Sequence, residues 1–443
     1  MAETERVLKP ANENPWYVLM TLYGEQVGKY VDRELAIRNR RAWNTWVCQA
    51  LSPDEQIKAA SQARVSIDEL RNWQSMRQDV VIRHKAEMMS RNSEEFLYPG
   101  FPEVGETYDM TGLEFETIVS LEGHIFKNLP DFTKAKFHRQ IYLRSTVFLG
   151  AVNFILCDFK DTALFITCHF EGPADFLRAD FRGLASFHQA RFSSSANFSS
   201  VSFLASSDFD AATFLGYSHF QEAVFSADGS KGKEKLDFSD CQFERPSNFQ
   251  KTKFEARYPN LSGAIFHDRT PFSADPVYWP VIKQKDPALA KASCATIRHA
   301  LGKQGLPEEE HFFFRREMGF AAQIGGWWER LPYRAFGWVS DYGYSIARPA
   351  IGLFWVWYLP ALIFVAFRVT GVPVSDVPEM LWSGALSFAN LFPIFGFHRV
   401  WFDADKLAAL SPWLKALSGA QTVVSLPMLF FLGLGLRTRF RMR

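Results

Sequence analysis

The chain has little cysteine, almost no net charge, and none of the short motifs that mark the common catalytic sites. Its five cysteines (Cys48, Cys157, Cys168, Cys241 and Cys294) are scattered over 443 residues with no CxxC pair. That spacing argues against a disulfide framework and fits a reducing compartment. Lys and Arg number 49 against 48 Asp and Glu, so no overall field draws the molecule to nucleic acid. A phosphate-binding glycine loop, HExxH and GxSxG are all missing. The expectation is a protein that is not an enzyme and uses no cofactor and no metal. The opening MAETERVLKPANENP is polar and has no signal-peptide character, so a membrane anchor is expected further along.

Phenylalanine, by contrast, is abundant at 43 residues, and it is ordered. From Phe115 to Phe225 a bulky residue recurs at alternating steps of six and five. Of these 21 positions, 19 are Phe and the others are Leu121 and Leu143. The inner run is Phe154, Phe159, Phe165, Phe170, Phe176, Phe181, Phe187, Phe192, Phe198, Phe203, Phe209, Phe214, Phe220 and Phe225. Two residues before each centre from Phe148 onward stands Thr, Val, Cys, Ala or Ser, as in Ala179-Asp180-Phe181 and Ser207-Asp208-Phe209. A period of five fits neither a helix nor a flat strand. It fits a chain that turns a corner every few residues, with one bulky and one small side chain sharing a narrow interior. Cys157, Cys168 and Cys241 fall in the small position, which marks them as buried small hydrophobes rather than metal ligands.

The run FSSVSFLASSDFDAATF resembles the pentapeptide-repeat family in its Phe-centred variant. The resemblance implies a right-handed quadrilateral β-helix over roughly 115–266, with 22 residues per coil and both the bulky and the small residue pointing inward. Some soluble members of that family mimic DNA and protect gyrase, which needs an acidic rod. Residues 115–266 hold 17 acidic and 16 basic side chains, so that role is not expected. The regularity breaks at 226–237, SADGSKGKEKLD, which reads as a surface loop between coils. It resumes at Phe238, Phe243, Phe249 and Phe254 and is expected to finish at Leu261 and Phe266.

The fold class is therefore mixed: a β-solenoid over 106–272, a helical N-terminal region over 1–105, a helical linker over 273–347 and a membrane module over 348–443. Ser52–Glu55 and Ser66–Glu69 match the capping box, predicting helices over 52–62 and 66–90, after an earlier one over 33–49. Arg38, Arg40 and Arg41 beside Trp43 and Trp46 read as a solvated basic face next to core tryptophans. A solenoid exposes open strand edges at its ends, and the N-terminal helices are expected to cap the first coil. In the linker, Glu308–Glu310 suit a helix start. His311 lacks the ligand spacing of a zinc helix.

Nineteen uncharged residues lie between Arg348 and Arg368, and 21 between Lys415 and Arg437. Each run is long enough to cross about 30 Å of hydrocarbon, giving spans near 349–368 and 416–436. Arg330, Arg334 and Arg348 before the first span and RTRFRMR after the second predict cytoplasmic N- and C-termini by the positive-inside rule. The expectation is a multi-pass protein of a bacterial inner membrane. Between the spans, 380–397 carries 18 uncharged residues with Gly384, Pro393 and Gly396, and is expected to dip in and return. Span, dipping segment and span resemble the two-span pore module of potassium-channel-like proteins. That resemblance implies a homo-oligomer, a tetramer by analogy, with a constriction at Asn390, Phe392, Pro393, Phe395, Gly396 and Phe397. The filter sequence TVGYG is missing, so potassium selectivity does not carry over. The competing expectation is a tethered scaffold without conductance, whose solenoid binds a protein partner.

Overall fold

Two-residue strands cannot stand alone, and in this chain they exist because they stack on one another from coil to coil. The computed structural model describes residues 8–226, 235–367, 379–408 and 410–441, and it divides into two compact units, Met1–Phe313 and Phe314–Arg443. In the first unit, strands such as Asp158–Phe159 and His169–Phe170 build four parallel sheets of eight, seven, six and six strands. Phe159 pairs with Phe137 on one side and Phe181 on the other, a coil of 22 residues. The predicted core run from Phe154 to Phe225 is buried throughout.

Because the register is constant, rings of successive coils lie one over the next. Centroids are 4.6 Å apart for Phe159–Phe181, 4.7 Å for Phe165–Phe187, 4.6 Å for Phe170–Phe192 and 4.8 Å for Phe176–Phe198, with planes within 4° of parallel. That spacing is the strand-to-strand distance of a β-ladder. The backbone ladder thus sets the ring spacing. The small position has its own ladder: Thr146 Oγ1 donates to the Leu121 carbonyl at 2.7 Å, Cys168 Sγ to Leu143 at 2.7 Å and Thr252 Oγ1 to Phe220 at 2.7 Å.

Two corners of each coil, eleven residues apart, use the left-handed region. Lys134, Ser145, Leu156, Thr167, Arg178, Gln189, Ser200, Ala211, Glu222, Asp240 and Lys251 all have φ between 51 and 62°. Each bends the chain where a non-glycine residue is normally disfavoured. The amide there still reaches the next coil, as Gln189 N–H does to the Asp210 carbonyl at 2.9 Å.

The ladder passes over the irregular stretch without losing register. Phe214 pairs with Phe243 and Phe225 with Phe254, steps of 29 that absorb seven extra residues. The loop expected there falls mostly on 227–234, outside the described residues. A last turn follows through single bridges at Asp237–Asn260, Gln242–Ile265 and Phe249–Phe272. Phe272 stacks on Phe249 at 5.0 Å, so the core runs one residue of the series beyond the expected end at Leu261 and Phe266.

Four helices close the first end: α1 (Pro15–Met20), α2 (Arg33–Val47), α3 (Pro53–Ala63) and α4 (Trp73–Arg91). Asn44 of α2 replaces a missing strand. Its side-chain amide donates to the Gly123 carbonyl at 3.0 Å and its oxygen accepts from Ile125 N–H at 3.0 Å. Trp43 Nε1 donates to the Ile125 carbonyl at 2.8 Å, and Lys9–Pro10 adds a parallel strand beside Leu113. The predicted helix over 66–90 is divided instead. Ser66 caps a short turn over Ile67–Leu70, and α4 starts only at Trp73. Glu69, the expected partner in the capping box, is instead held by Arg40 at 3.0 Å, with Arg41 at 3.5 Å. Of the basic–aromatic cluster, Trp43 and Trp46 are core, as expected, and Arg38 lies over the Tyr23 ring.

The other end is covered by α5 (Pro287–Gln304). Gln304 Nε2 donates to the Thr270 carbonyl at 2.8 Å, and Ser293 Oγ donates to the Pro259 carbonyl. Trp279 lies over Phe254 at 4.8 Å and Tyr258 at 5.5 Å, with Phe313 edge-on at 5.0 Å. Helix α6 (Pro307–Ala321) carries the three glutamates in its first turn and contains the division between the units.

The second unit is helical: α7 (Trp327–Ser340), α8 (Ala347–Ala366), α9 (Glu379–Leu391), α10 (Phe397–Trp401), α11 (Ala404–Ala408) and α12 (Pro412–Arg441). Helices α8, α9 and α12 pack against one another. Two helices, Ala347–Ala366 and Pro412–Phe440, are long and apolar enough to cross a membrane. Arg368, which bounds the first uncharged run, lies outside the described residues.

Candidate functional site

The segment between the two long helices folds as a helix, a break and a second short helix. Helix α9 has 13 residues, about 20 Å at 1.5 Å per residue, short of the roughly 30 Å of a hydrocarbon core. Phe392 ends it, Pro393–Phe395 makes a single tight turn, and Gly396 at φ 68° reverses the chain into α10. Pro393 has no N–H to offer, and only glycine takes that φ without cost.

Asn390 and the phenylalanines part company here. Asn390 is fully buried: its amide donates to Gln421 Oε1 at 2.8 Å and its oxygen accepts from Ser418 Oγ at 2.8 Å. Gln421 Nε2 donates to the carbonyls of Val356 and Ser387, both at 2.9 Å, and Ser387 Oγ donates to the Trp357 carbonyl at 2.6 Å. Thr422 Oγ1 reaches the Asn390 carbonyl at 3.1 Å, and Trp357 Nε1 the Gly384 carbonyl at 3.0 Å. These groups tie α8, α9 and α12 together within one chain. Sequence reading singled out Asn390 but missed Ser387, Ser418 and Gln421. The one available signal was three polar residues in otherwise apolar runs.

Phe392, Phe395 and Phe397 instead cluster at the turn, with centroids 6.0 Å apart for Phe392–Phe395 and 5.8 Å for Phe395–Phe397. Phe397 stacks on Trp401 at 4.6 Å. The tip is open: Ile394 is 81% exposed and Phe395 69%. Among the described residues, one copy of the chain thus brings Phe392, Pro393, Phe395, Gly396 and Phe397 to one turn, while Asn390 is buried apart from them.

Elsewhere the chemistry is quiet. Burial raises the thiols of Cys168 and Cys241 well above the ordinary range and pushes Cys48 up to about 11, which suppresses thiolate reactivity. Among the described residues, one group of side chains has metal-ligand proximity: Glu114, Glu116 and His138. Glu114 already binds His138 Nε2 at 2.6 Å and Lys136 Nζ at 3.1 Å, and these two hydrogen bonds hold its carboxyl below the usual range. Lys136 supplies the positive charge that a cation would otherwise bring. His311 is not part of that group.

A family model for pentapeptide repeats, nine copies long, matches residues 132–180. The solenoid, with its five-residue steps, inward Phe and small inward partner, is thus a pentapeptide-repeat solenoid. No curated protein and no solved structure matches the chain.

Proposed function

We propose that the chain is a multi-pass bacterial inner-membrane protein that holds its pentapeptide-repeat solenoid in the cytoplasm as a non-catalytic scaffold for a protein partner. The observation that carries this reading is the Asn390–Gln421–Ser387 network. Polar groups in hydrocarbon need partners, and these find them within one chain. Arg348 stands at the start of α8 and Arg437 and Arg439 at the end of α12, with Arg334 in the preceding α7, which supports both termini on the cytoplasmic side. The solenoid contributes long, regular faces of the kind that repeat proteins use for binding.

A second reading, a homo-oligomeric pore-like or sensor module, is favoured by the open tip. Irregular backbone at membrane depth has to be covered by protein, and further copies meeting at Ile394 and Phe395 would cover it. The full chain in mild detergent, sized by light scattering and then reconstituted in planar bilayers, separates the two. A non-conducting monomer supports the scaffold. A conducting oligomer overturns it in favour of the pore.

A further inference from the structure

Helix α7 joins the long helices with an unusual surface. It packs Phe336 against Phe431 of α12, centroids 5.3 Å apart. Its outward stripe of Trp327, Leu331 and Trp338 is exposed, with Trp338 at 79%. A tryptophan-rich amphipathic helix that carries Arg330 and Arg334 and is joined by a short turn to a membrane-length helix has the composition of an element lying in the membrane interface.

Behind that stripe, α7, α8 and α12 enclose a groove of about 610 Å³. Its wall is apolar: Trp338, Ile351, Trp355, Val356 and Met428, with Gly352 at the floor, where a Cβ would stand 3.0 Å from Met428 Sδ. One lining residue is charged. Arg348 sits at the start of α8, half-exposed, with Nη1 donating to the Gly337 carbonyl at 3.0 Å and lying 3.8 Å from Asp341. Asp341 is also held by Arg315, so the two guanidiniums and one carboxylate leave an excess positive charge at the groove.

We propose that this groove binds one anionic glycerophospholipid, with an acyl chain along Ile351, Val356 and Met428 and its phosphate on Arg348. The apolar wall alone accepts any lipid tail. The single cation at its membrane-interface end selects for negative headgroups. An inorganic anion would meet the charge but not the groove.

The proposal rests on reading α8 and α12 as membrane spans, so the experiment begins with alkaline extraction of membranes carrying the full chain. Release into the supernatant sinks the span reading, and this proposal with it. If the chain stays in the membrane, it is purified in mild detergent and retained lipid is counted by native mass spectrometry. Competition between phosphatidylglycerol and phosphatidylcholine is then run with and without inorganic phosphate. One retained phosphatidylglycerol is expected, preferred by about five-fold, the factor that one arginine contributes near an anionic headgroup. Arg348→Gln removes the preference and Arg348→Lys keeps it. Equal retention of the two lipids, an unchanged preference in Arg348→Gln, or full displacement by inorganic phosphate would each overturn the proposal.

Discussion

His124 makes the cap of the solenoid acid-sensitive, and its contribution can be worked out. It occupies the small inward position of the first coil, buried between Trp43 at 6.3 Å and Phe126 at 6.4 Å. Burial first, and the nearby Arg40 charge second, pull its pKa from 6.5 down to about 3. Above pH 6.5 the imidazole is neutral in both folded and unfolded chains, and it contributes no pH dependence. As pH falls from 6.5 toward 3 the unfolded chain binds a proton that the folded chain refuses, so stability is lost through that window. At pH 5 the loss is about 1.5 pH units at 1.36 kcal/mol each, roughly 2 kcal/mol. His124→Thr, which copies Thr146 one coil on, removes this loss. The assay is denaturant unfolding of the full chain at pH 8 and pH 5, with hydrogen exchange at Ile125 N–H, the amide bound by Asn44. The difference between variant and wild type should move by about 2 kcal/mol in favour of the variant at pH 5. Parallel pH profiles would refute the assignment. The carboxylates held low, such as Glu114 and Glu255, lose their contribution only at lower pH, below the ordinary carboxylate range.

Three further changes test other parts of the account. Phe187→Ala leaves a hole between Phe165 and Phe209 and should cost about 3–5 kcal/mol, read by urea unfolding and by faster proteolysis of the flanking coils. Gln189→Gly relieves a left-handed corner worth roughly 1–2 kcal/mol against the greater freedom glycine gives the unfolded chain. A net gain of up to about 1 kcal/mol in unfolding free energy is expected, and a loss would show that the corner is not strained. Gln421→Leu strands Asn390 and two carbonyls, so it should lower the detergent melting temperature by the cost of buried unpartnered groups, about 1–3 kcal/mol; an unchanged melting temperature would mean the network is not structural.

The solenoid was legible because its signal is redundant. The Phe spacing, the small partner and the polar residues between them all report one corner-turning geometry, so the register survives even the insertion before Leu236. The left-handed corners were not legible, because Lys134, Leu156 and Arg178 carry no glycine to announce them. The coil imposes that conformation from outside the local sequence. The capping box at Ser52–Glu55 formed as written, whereas the one at Ser66–Glu69 lost its glutamate to Arg40, a partner 29 residues away. In the membrane module, hydropathy located α8 and α12, and Pro393 and Gly396 located the break. The Ser387–Asn390–Gln421 network depends on how three helices face one another, and no spacing within any one of them reveals it.

The most direct test of a tethered cytoplasmic solenoid is the sidedness of the C-terminus, read with a fused reporter active on only one side of the membrane. A cytoplasmic C-terminus is expected: two spans, with α9 dipping and returning. A C-terminus on the far side would require three crossings, and would contradict both the short α9 and the placing of the arginine-rich ends together.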